Sequence, residues 1–215
     1  PLAPLSLLAR RPILGLLSAI AGAPGVEAVR RQRAVPVPPT IRPVREFTVL
    51  TYDLAGSEDV ADLLRLAQMG NAGLVAVQGL GRAAQALLDA TASDAYPYRS
   101  LQARDDARAG VGLLSRYPIL TQEYWPHRRG VPVQGNLRAE VSVGGTRVAV
   151  YNVHPPAEDA MLPGAAAAAV DAVLSRATVE RGPVILVGDL YPPEGSEQEG
   201  RLAARFVDTR QETLG

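Results

Sequence analysis

From residue 46 onward, apolar runs of two different periods divide the chain into strands and helices. Glu46 to Leu54 is a β-branched and aromatic run of the kind that forms a strand. Ser57 follows as a helix cap, with Glu58 and Asp59 in the first turn and Val60, Leu63, Leu64 and Ala67 at helical spacing over 57–70. Gly73 to Gln78 predicts a short buried strand, Arg82 to Ala90 a second helix, and Gly110 to Ser115 another strand closed by Arg116-Tyr-Pro118. The clearest hairpin joins Leu137–Val143 to Thr146–Val153 through Gly144-Gly145, since paired glycines supply the positive φ angles of a tight turn. Pro163 opens an Ala-rich helix to about Ala177, and Pro183 to Asp189 returns as a strand. Helices at 57–70, 81–90 and 163–177 alternate with strands, while hairpins and short apolar strands dominate the middle. That pattern predicts mixed sheets with helices outside, a layered α/β sandwich. No Gly-rich phosphate loop follows any strand, which argues against a doubly wound nucleotide fold.

Residues 1–33 differ. Pro12 to Val26 is uncharged and largely apolar, between Arg10-Arg11 and Arg30-Arg31. As a helix fifteen residues rise only about 22 Å, short of the roughly 30 Å hydrocarbon core. Three readings stay open: a truncated membrane helix, an interfacial or packed helix, and a signal-type segment. Residues 34–44 carry four prolines and read as an extended linker, leaving 45–215 as the folded domain. Composition adds exclusions. The formal net charge is zero and every one of the 22 basic residues is Arg, so no general attraction to a polyanion arises. With no Cys in the chain, disulfides and thiolate metal sites are excluded.

Chemistry concentrates at strand ends. Asp53, His154 and Asp189 each follow an apolar strand, and strand ends form the rim on which sites are built. Asp53, Asn152 and Asp189 are the oxygen-ligand types a hard divalent cation requires. Against phosphate, such a cation neutralises charge while His154 and Asp189 handle protons and orient water. Taken singly each has a plainer reading: Asp189 as a turn cap, His154 as a packed imidazole, Asp53 as a strand terminus. Ser115 lacks the G-x-S-x-G setting of a hydrolase nucleophile. Arg128-Arg129, beside Trp125 and His127, reads as a solvated loop rather than a phosphate contact, and Glu194, Glu197 and Glu199 as a solvated acidic loop.

The order of these segments resembles the endonuclease/exonuclease/phosphatase superfamily, which includes nucleases, sphingomyelinases and inositol phosphatases. Phe47 to Leu54 is similar to the family's first strand, Leu74 to Gly79 to the strand that ends in Gln-Glu, and Gly112 to Ile119 to its central segment. Val150-Tyr-Asn-Val-His154 resembles the strand with the catalytic His, Val184 to Tyr191 the Gly-Asp-Phe-Asn motif, and Phe206 to Asp208 a later segment. The resemblance implies a four-layer α/β sandwich, two mixed sheets flanked by helices, with the site at one end of both sheets. It implies His154 and Asp189 as catalytic, Asp53 and Asp189 as ligands of magnesium or manganese, and Asn152 and Tyr191 as phosphate-orienting. Substrates in the family are phosphoesters of nucleic acid, phospholipid or inositol phosphate, and some bacterial members are membrane-tethered, so a membrane-side location is implied for the apolar N-terminal segment. There are departures. Gly79 stands at the family's principal metal-binding Glu, Tyr191 replaces Asn, Asp53 replaces Asn, and residue 215 precedes the closing Ser-Asp-His strands, which implies a sandwich incomplete at its C-terminus. The expectation is a domain of ancestral metal-dependent phosphoester hydrolysis with a weakened or lost cation site. The alternative is a non-catalytic binding or membrane-associated module, and a third reading treats the departures as accidents of a partial or altered chain.

Overall fold

Two stacked sheets of unequal width carry the architecture. A computed structural model describes residues 5–9, 46–105, 109–126, 135–155, 164–190 and 195–208. The smaller sheet has the order β2-β3-β5-β4, from β2 (Thr48–Asp53), β3 (Ala72–Gln78), β4 (Tyr98–Gln102) and β5 (Val111–Ser115). The larger has the order β10-β1-β9-β8-β7-β6, from β1 (Leu5–Ala9), β6 (Ile119–Pro126), β7 (Gly135–Val143), β8 (Thr146–Val153), β9 (Val184–Gly188) and β10 (Phe206–Asp208). Both are mixed: β2 runs parallel to β3 and β8 parallel to β9, and the other pairings are antiparallel. Among the helices are α1 (Val60–Met69) and α2 (Arg82–Thr91), followed by α3 (Ala165–Thr178) and α4 (Glu197–Arg205).

Three apolar layers show why this is a four-layer sandwich. Val60, Leu63 and Ala67 of α1 and Ala84 and Leu88 of α2 pack on Leu50, Tyr52, Val75 and Val77, the outer face of the small sheet. Val170, Val173 and Leu174 of α3 and Leu202 of α4 cover Tyr151, Val153, Val184 and Leu186, the outer face of the large one. Between the sheets lie Val49, Leu74, Ala76, Leu113, Ala139, Val141, Val148, Val150, Ile185 and Val187. Each fully buried Leu, Ile or Val contributes about 1.5–3 kcal/mol, so this middle layer supplies much of the driving force. Strands alternate their side chains between faces, which sends odd residues of β2 and even residues of β3 and β8 into the middle layer.

The helices and hairpin expected from the sequence form, with shifted ends. The cap of α1 is Asp59, whose carboxylate accepts from the Asp62 N–H, while Ser57 accepts from the Asp59 N–H one turn earlier. Glu197 and Glu199, read as a solvated acidic loop, instead occupy the first turn of α4. Ser196 caps that helix by accepting from the Glu199 N–H, and the Glu199 carboxylate accepts from the Gly195 N–H. Carboxylates in the first turn and Arg205 in the last complement the helix dipole. On the outer face of the large sheet, the Arg138 guanidinium pairs with Glu180, to which Tyr151 donates at 2.7 Å. The guanidinium lowers the Glu180 carboxyl, and burial raises the Tyr151 hydroxyl, so the loop after α3 is tied down by a charge-assisted contact.

Residues 5–9 join the large sheet between β9 and β10, with Leu7 opposite Leu186 on one side and Asp208 on the other. Residues 10–45 lie outside the described residues, and with them the expectations for the apolar segment at 12–26 and the linker at 34–44. Among the described residues, no helix is long and apolar enough to cross a membrane.

Candidate functional site

The alternation that fills the middle layer continues to one end of the sandwich and changes character there. Along β2 the inward side chains run Val49, Thr51, Asp53; along β3, Leu74, Ala76, Gln78; along β8, Val148, Val150, Asn152 and then His154; along β9, Ile185, Val187 and then Asp189. Apolar rows therefore give way to a polar row, and the polar row to a terminal row of two carboxylates and an imidazole. Parallel pairing places these ends side by side, with Val153 opposite Gly188 and Asp53 opposite Gln78.

Asp53, His154 and Asp189 converge, and each offers a ligand atom within 4.8 Å of the other two. Gly188 makes the approach possible. Its φ of +126° belongs to glycine alone, and a Cβ there would stand 1.9 Å from the Val153 carbonyl oxygen. The chain turns sharply at that point, and the Asp189 N–H donates to Val153 O at 3.0 Å. His154 is only 7% exposed. Burial lowers its imidazole pKa, and the Asp53 carboxylate pulls it partly back. Burial pushes the Asp189 carboxyl up to about 7, and the nearby Asp53 charge adds to the rise. Two carboxylates forced together beside a neutral imidazole are an electrostatic arrangement that a cation relieves.

The donor set fits a divalent ion. Ligands about 2.1 Å from a cation lie roughly 3 to 4.2 Å from one another, so the three side chains close around one after small movements. Asp53 is already oriented, since one of its oxygens accepts from the Ala55 N–H at 2.7 Å.

Asn152, expected to orient phosphate, takes another role, and Gly79, expected to be a lost metal-ligand position, is filled by backbone. Asn152 is 1% exposed and its amide is committed: its two N–H groups donate to Val77 O at 2.9 Å and Gly112 O at 2.8 Å, and its oxygen accepts from Gln78 at 2.6 Å. With no hydrogen left to offer, it cannot orient a phosphate directly, and that expectation is corrected. Gly79 abuts the site but the backbone has closed over it. The loop at 54–56 folds back through Leu54 N–H to Gln78 O at 3.0 Å and Gly56 N–H to Gly79 O at 3.3 Å. Gly79 has a φ of +60°, and a Cβ would lie 2.6 Å from Asp53 Oδ1 and 2.7 Å from Ala55 N. Replacing Gly79 by Glu is therefore expected to cost roughly 2–4 kcal/mol, from a strained backbone plus overpacking, without restoring a ligand. Urea midpoints and a Mn²⁺ titration of Gly79→Glu check this; tighter Mn²⁺ binding at unchanged stability would refute it. Tyr191, Arg128 and Arg129 lie outside the described residues.

Sequence reasoning missed Thr51 and Gln78, which form the polar row with Asn152. The signal for Gln78 was a lone amide at the end of an otherwise apolar run. It also missed the groove beside the site, lined by Gly56, Ser57, Glu58, Gly81, Arg82 and Arg104. Arg82 pairs with Asp105 there, and Arg104 lies 5.9 Å over the Tyr124 ring. Glu58 and Asp105 balance the two arginines, so the groove brings no net positive charge to the site.

Fold and site together define an α/β sandwich with a strand-end triad suited to a divalent cation. The family model for the endonuclease/exonuclease/phosphatase family matches residues 50–191, well over half of the chain. The chain belongs to that family. Among solved structures it is similar to sphingomyelinase C from Streptomyces griseocarneus, at 24% identity over 73% of this chain and 68% of that one, with a TM-score of 0.57. It is similar to D. rerio TDP2 complexed with a single-strand DNA product, at 16% identity over 72% and 64%, with a TM-score of 0.61. A Staphylococcus aureus beta toxin mutant with bound magnesium ions matches at 17% identity over 69% and 62%, with a TM-score of 0.52. The chain thus spans about two thirds of the length of these structures. No curated protein sequence matches it significantly.

Proposed function

We propose that this domain hydrolyses a phosphodiester with the help of a divalent cation held by Asp53 and Asp189, with His154 as the third ligand or as the neighbouring proton carrier. The observation that supports this reading is the convergence of these three side chains from strands of both sheets. A bound magnesium or manganese would neutralise charge on the phosphate and on the attacking oxygen. The chain's own residues do the rest. His154, kept neutral by burial, is in the form that accepts a proton or coordinates through nitrogen. The Asp53 carboxylate is held by the Ala55 N–H, and the turn at Gly188 fixes the backbone of Asp189 beside it.

The substrate class is a phosphoester of nucleic acid, phospholipid or inositol phosphate. The similarity to a sphingomyelinase C and to TDP2 with its DNA product supports that range without narrowing it. Hydrolysis of bis(p-nitrophenyl) phosphate with added Mg²⁺ or Mn²⁺, and its loss in EDTA, tests the reading. His154→Ala is expected to lower kcat by about 10²–10⁴, the usual contribution of a positioned proton-transfer group. Equal turnover in that variant would end the proposal.

A second reading is favoured by a specific observation: Gly79 offers no carboxylate and its surroundings leave no room for one. In that reading the family's site survives as a cation- or phosphate-binding module without turnover, associated with a membrane through residues 12–26. Mn²⁺ binding with no metal-dependent cleavage of any phosphodiester, and vesicle binding lost when residues 12–26 are removed, would favour it.

A further inference from the structure

Beneath the triad lies a layer that the hydrolase reading leaves unused. Thr51 is 4% exposed, and Gln78 and Asn152 are each 1% exposed. The Thr51 hydroxyl donates to Gln78 Oε1 at 3.2 Å, and Gln78 Nε2 donates to Asn152 Oδ1 at 2.6 Å. Asn152 Nδ2 then donates to Val77 O at 2.9 Å and to Gly112 O at 2.8 Å. Thr51, Gln78, Val77 and Gly112 belong to the small sheet and Asn152 to the large one, so the chain of bonds crosses the sandwich. Two of the three members stand directly below a triad residue, and the third, Gln78, joins them. Thr51 is two residues before Asp53 and Asn152 two before His154, while Gln78, paired in register with Asp53, bonds both.

Apolar packing between sheets sets their separation near 10 Å but is non-directional, so it fixes sliding and rotation only loosely. Hydrogen bonds are directional, and an amide held at three points has one position and one orientation. The triad needs such registration. It draws Asp53 from the small sheet and His154 and Asp189 from the large one, and productive geometry tolerates errors of only about 0.5 Å. In some proteins buried hydrogen-bonded polar groups specify one arrangement where apolar residues would allow several.

We propose that Thr51, Gln78 and Asn152 are positioning residues: a polar shelf that locks the two sheets in register at one end and thereby sets the spacing of Asp53 against His154 and Asp189. The proposal rests on the hydrolase reading only for what the spacing is used for; the shelf and its effect on the triad can be measured without catalysis.

The test is a triple variant, Thr51→Val, Gln78→Met and Asn152→Leu, which substitutes apolar groups of similar length or branching. Removing the three side chains together leaves no orphaned side-chain group, and only the Val77 and Gly112 carbonyls lose a donor, which limits the cost in stability to a few kcal/mol at about 1–3 kcal/mol per group. The two histidines of the chain make the imidazole ¹⁵N resonances simple, and comparison with His154→Ala assigns the one from His154. In the metal-free triple variant, a folded protein is expected whose His154 resonances are displaced and broadened relative to the parent. Its Mn²⁺ affinity, read by calorimetry, is expected to fall at least about tenfold, since misplaced supporting groups cost 10–100-fold in metal affinity. A folded triple variant with unchanged His154 resonances and unchanged Mn²⁺ affinity would overturn the shelf. If the triple variant does not fold, Thr51→Val alone is the probe, with a smaller displacement of the same resonances expected and no displacement overturning the idea. Should the parent protein bind no Mn²⁺, the hydrolase reading fails, and the metal-free His154 resonances still decide the shelf.

Discussion

Replacing Gly188 by alanine should cost the domain about 3–5 kcal/mol, roughly a fifth or more of the 5–15 kcal/mol that an ordinary domain possesses. Two independent penalties combine at this residue. A φ of +126° lies where an L side chain is strained whatever space surrounds it, and the added Cβ would meet the Val153 carbonyl oxygen at 1.9 Å. That oxygen belongs to the backbone of a central strand, so no rotamer change relieves the clash. Either the end of the β8–β9 pairing opens, with loss of the bond from the Asp189 N–H to Val153 O, or the alanine stays strained. Urea unfolding of Gly188→Ala measures the cost, and Gly200→Ala is the control. Gly200 sits in α4 with nothing within 4 Å of its missing Cβ, so alanine there should be neutral or stabilise by up to about 1 kcal/mol. Indistinguishable midpoints for the two variants would show that the turn is not held as described.

The second large effect is a pH dependence of cation binding. With its pKa raised to about 7, the Asp189 carboxyl of the metal-free protein keeps a proton well above the ordinary carboxylate range. A cation must displace that proton. Below pH about 7 the association constant should therefore rise about tenfold per pH unit, and above it level off, a change on the order of a hundredfold between pH 5 and 7. The sign follows from the direction of the shift: a raised carboxyl is the protonated, non-ligating form at low pH. His154 works further down the scale. Its imidazole is lowered by burial, so it competes for protons only in more acid solution, where the slope should steepen. Calorimetry of Mn²⁺ binding in two buffers of different ionisation enthalpy counts the protons released. About one is expected at pH 6 and none at pH 8. Asp189→Asn should bind more weakly at pH 8 and lose the step near pH 7. A parent affinity flat across that range would remove Asp189 from the ligand set.

The parts of the fold that could be read from residues were those with a one-dimensional signature. Strands β2, β3, β8 and β9 are buried on both faces or at an end, so they appear as apolar runs whose last members are Asp53, Gln78, His154 and Asp189. The hairpin announces itself through Gly144-Gly145. Edge strands gave no such signal. In β6, Thr121, Gln122 and Glu123 are exposed, because a strand paired on one side need not be apolar. The same holds for β4, where Tyr98 faces solvent. Helix α4 buries only Leu202, too little for a periodic pattern, although Ser196-Glu-Gln-Glu199 carried the spacing of a capping box. Leu5 to Ala9 is a short apolar run, and such runs do not distinguish strand from helix. Within the site, residue identity was legible and depth was not. Asn152 and His154 point the same way, yet one residue is sealed beneath the other, and that difference of a single pleat separates an amide bonded within the core from an imidazole beside Asp53 and Asp189.

Gly79 has an implication for how this chain can change. Its φ, the bend at Ala55 and the bond from Gly56 form one interlocked arrangement. A carboxylate at position 79 becomes acceptable only after the 54–56 segment has first been rebuilt to make room for it. In genetic terms the position is conditional: a change of Gly79 to Glu is tolerated only against a background already altered at residues 54–56. Variants selected for stronger cation-dependent activity should consequently carry changes at residues 54–56 before any change at 79, and should gain ligands from other strands sooner than from this one.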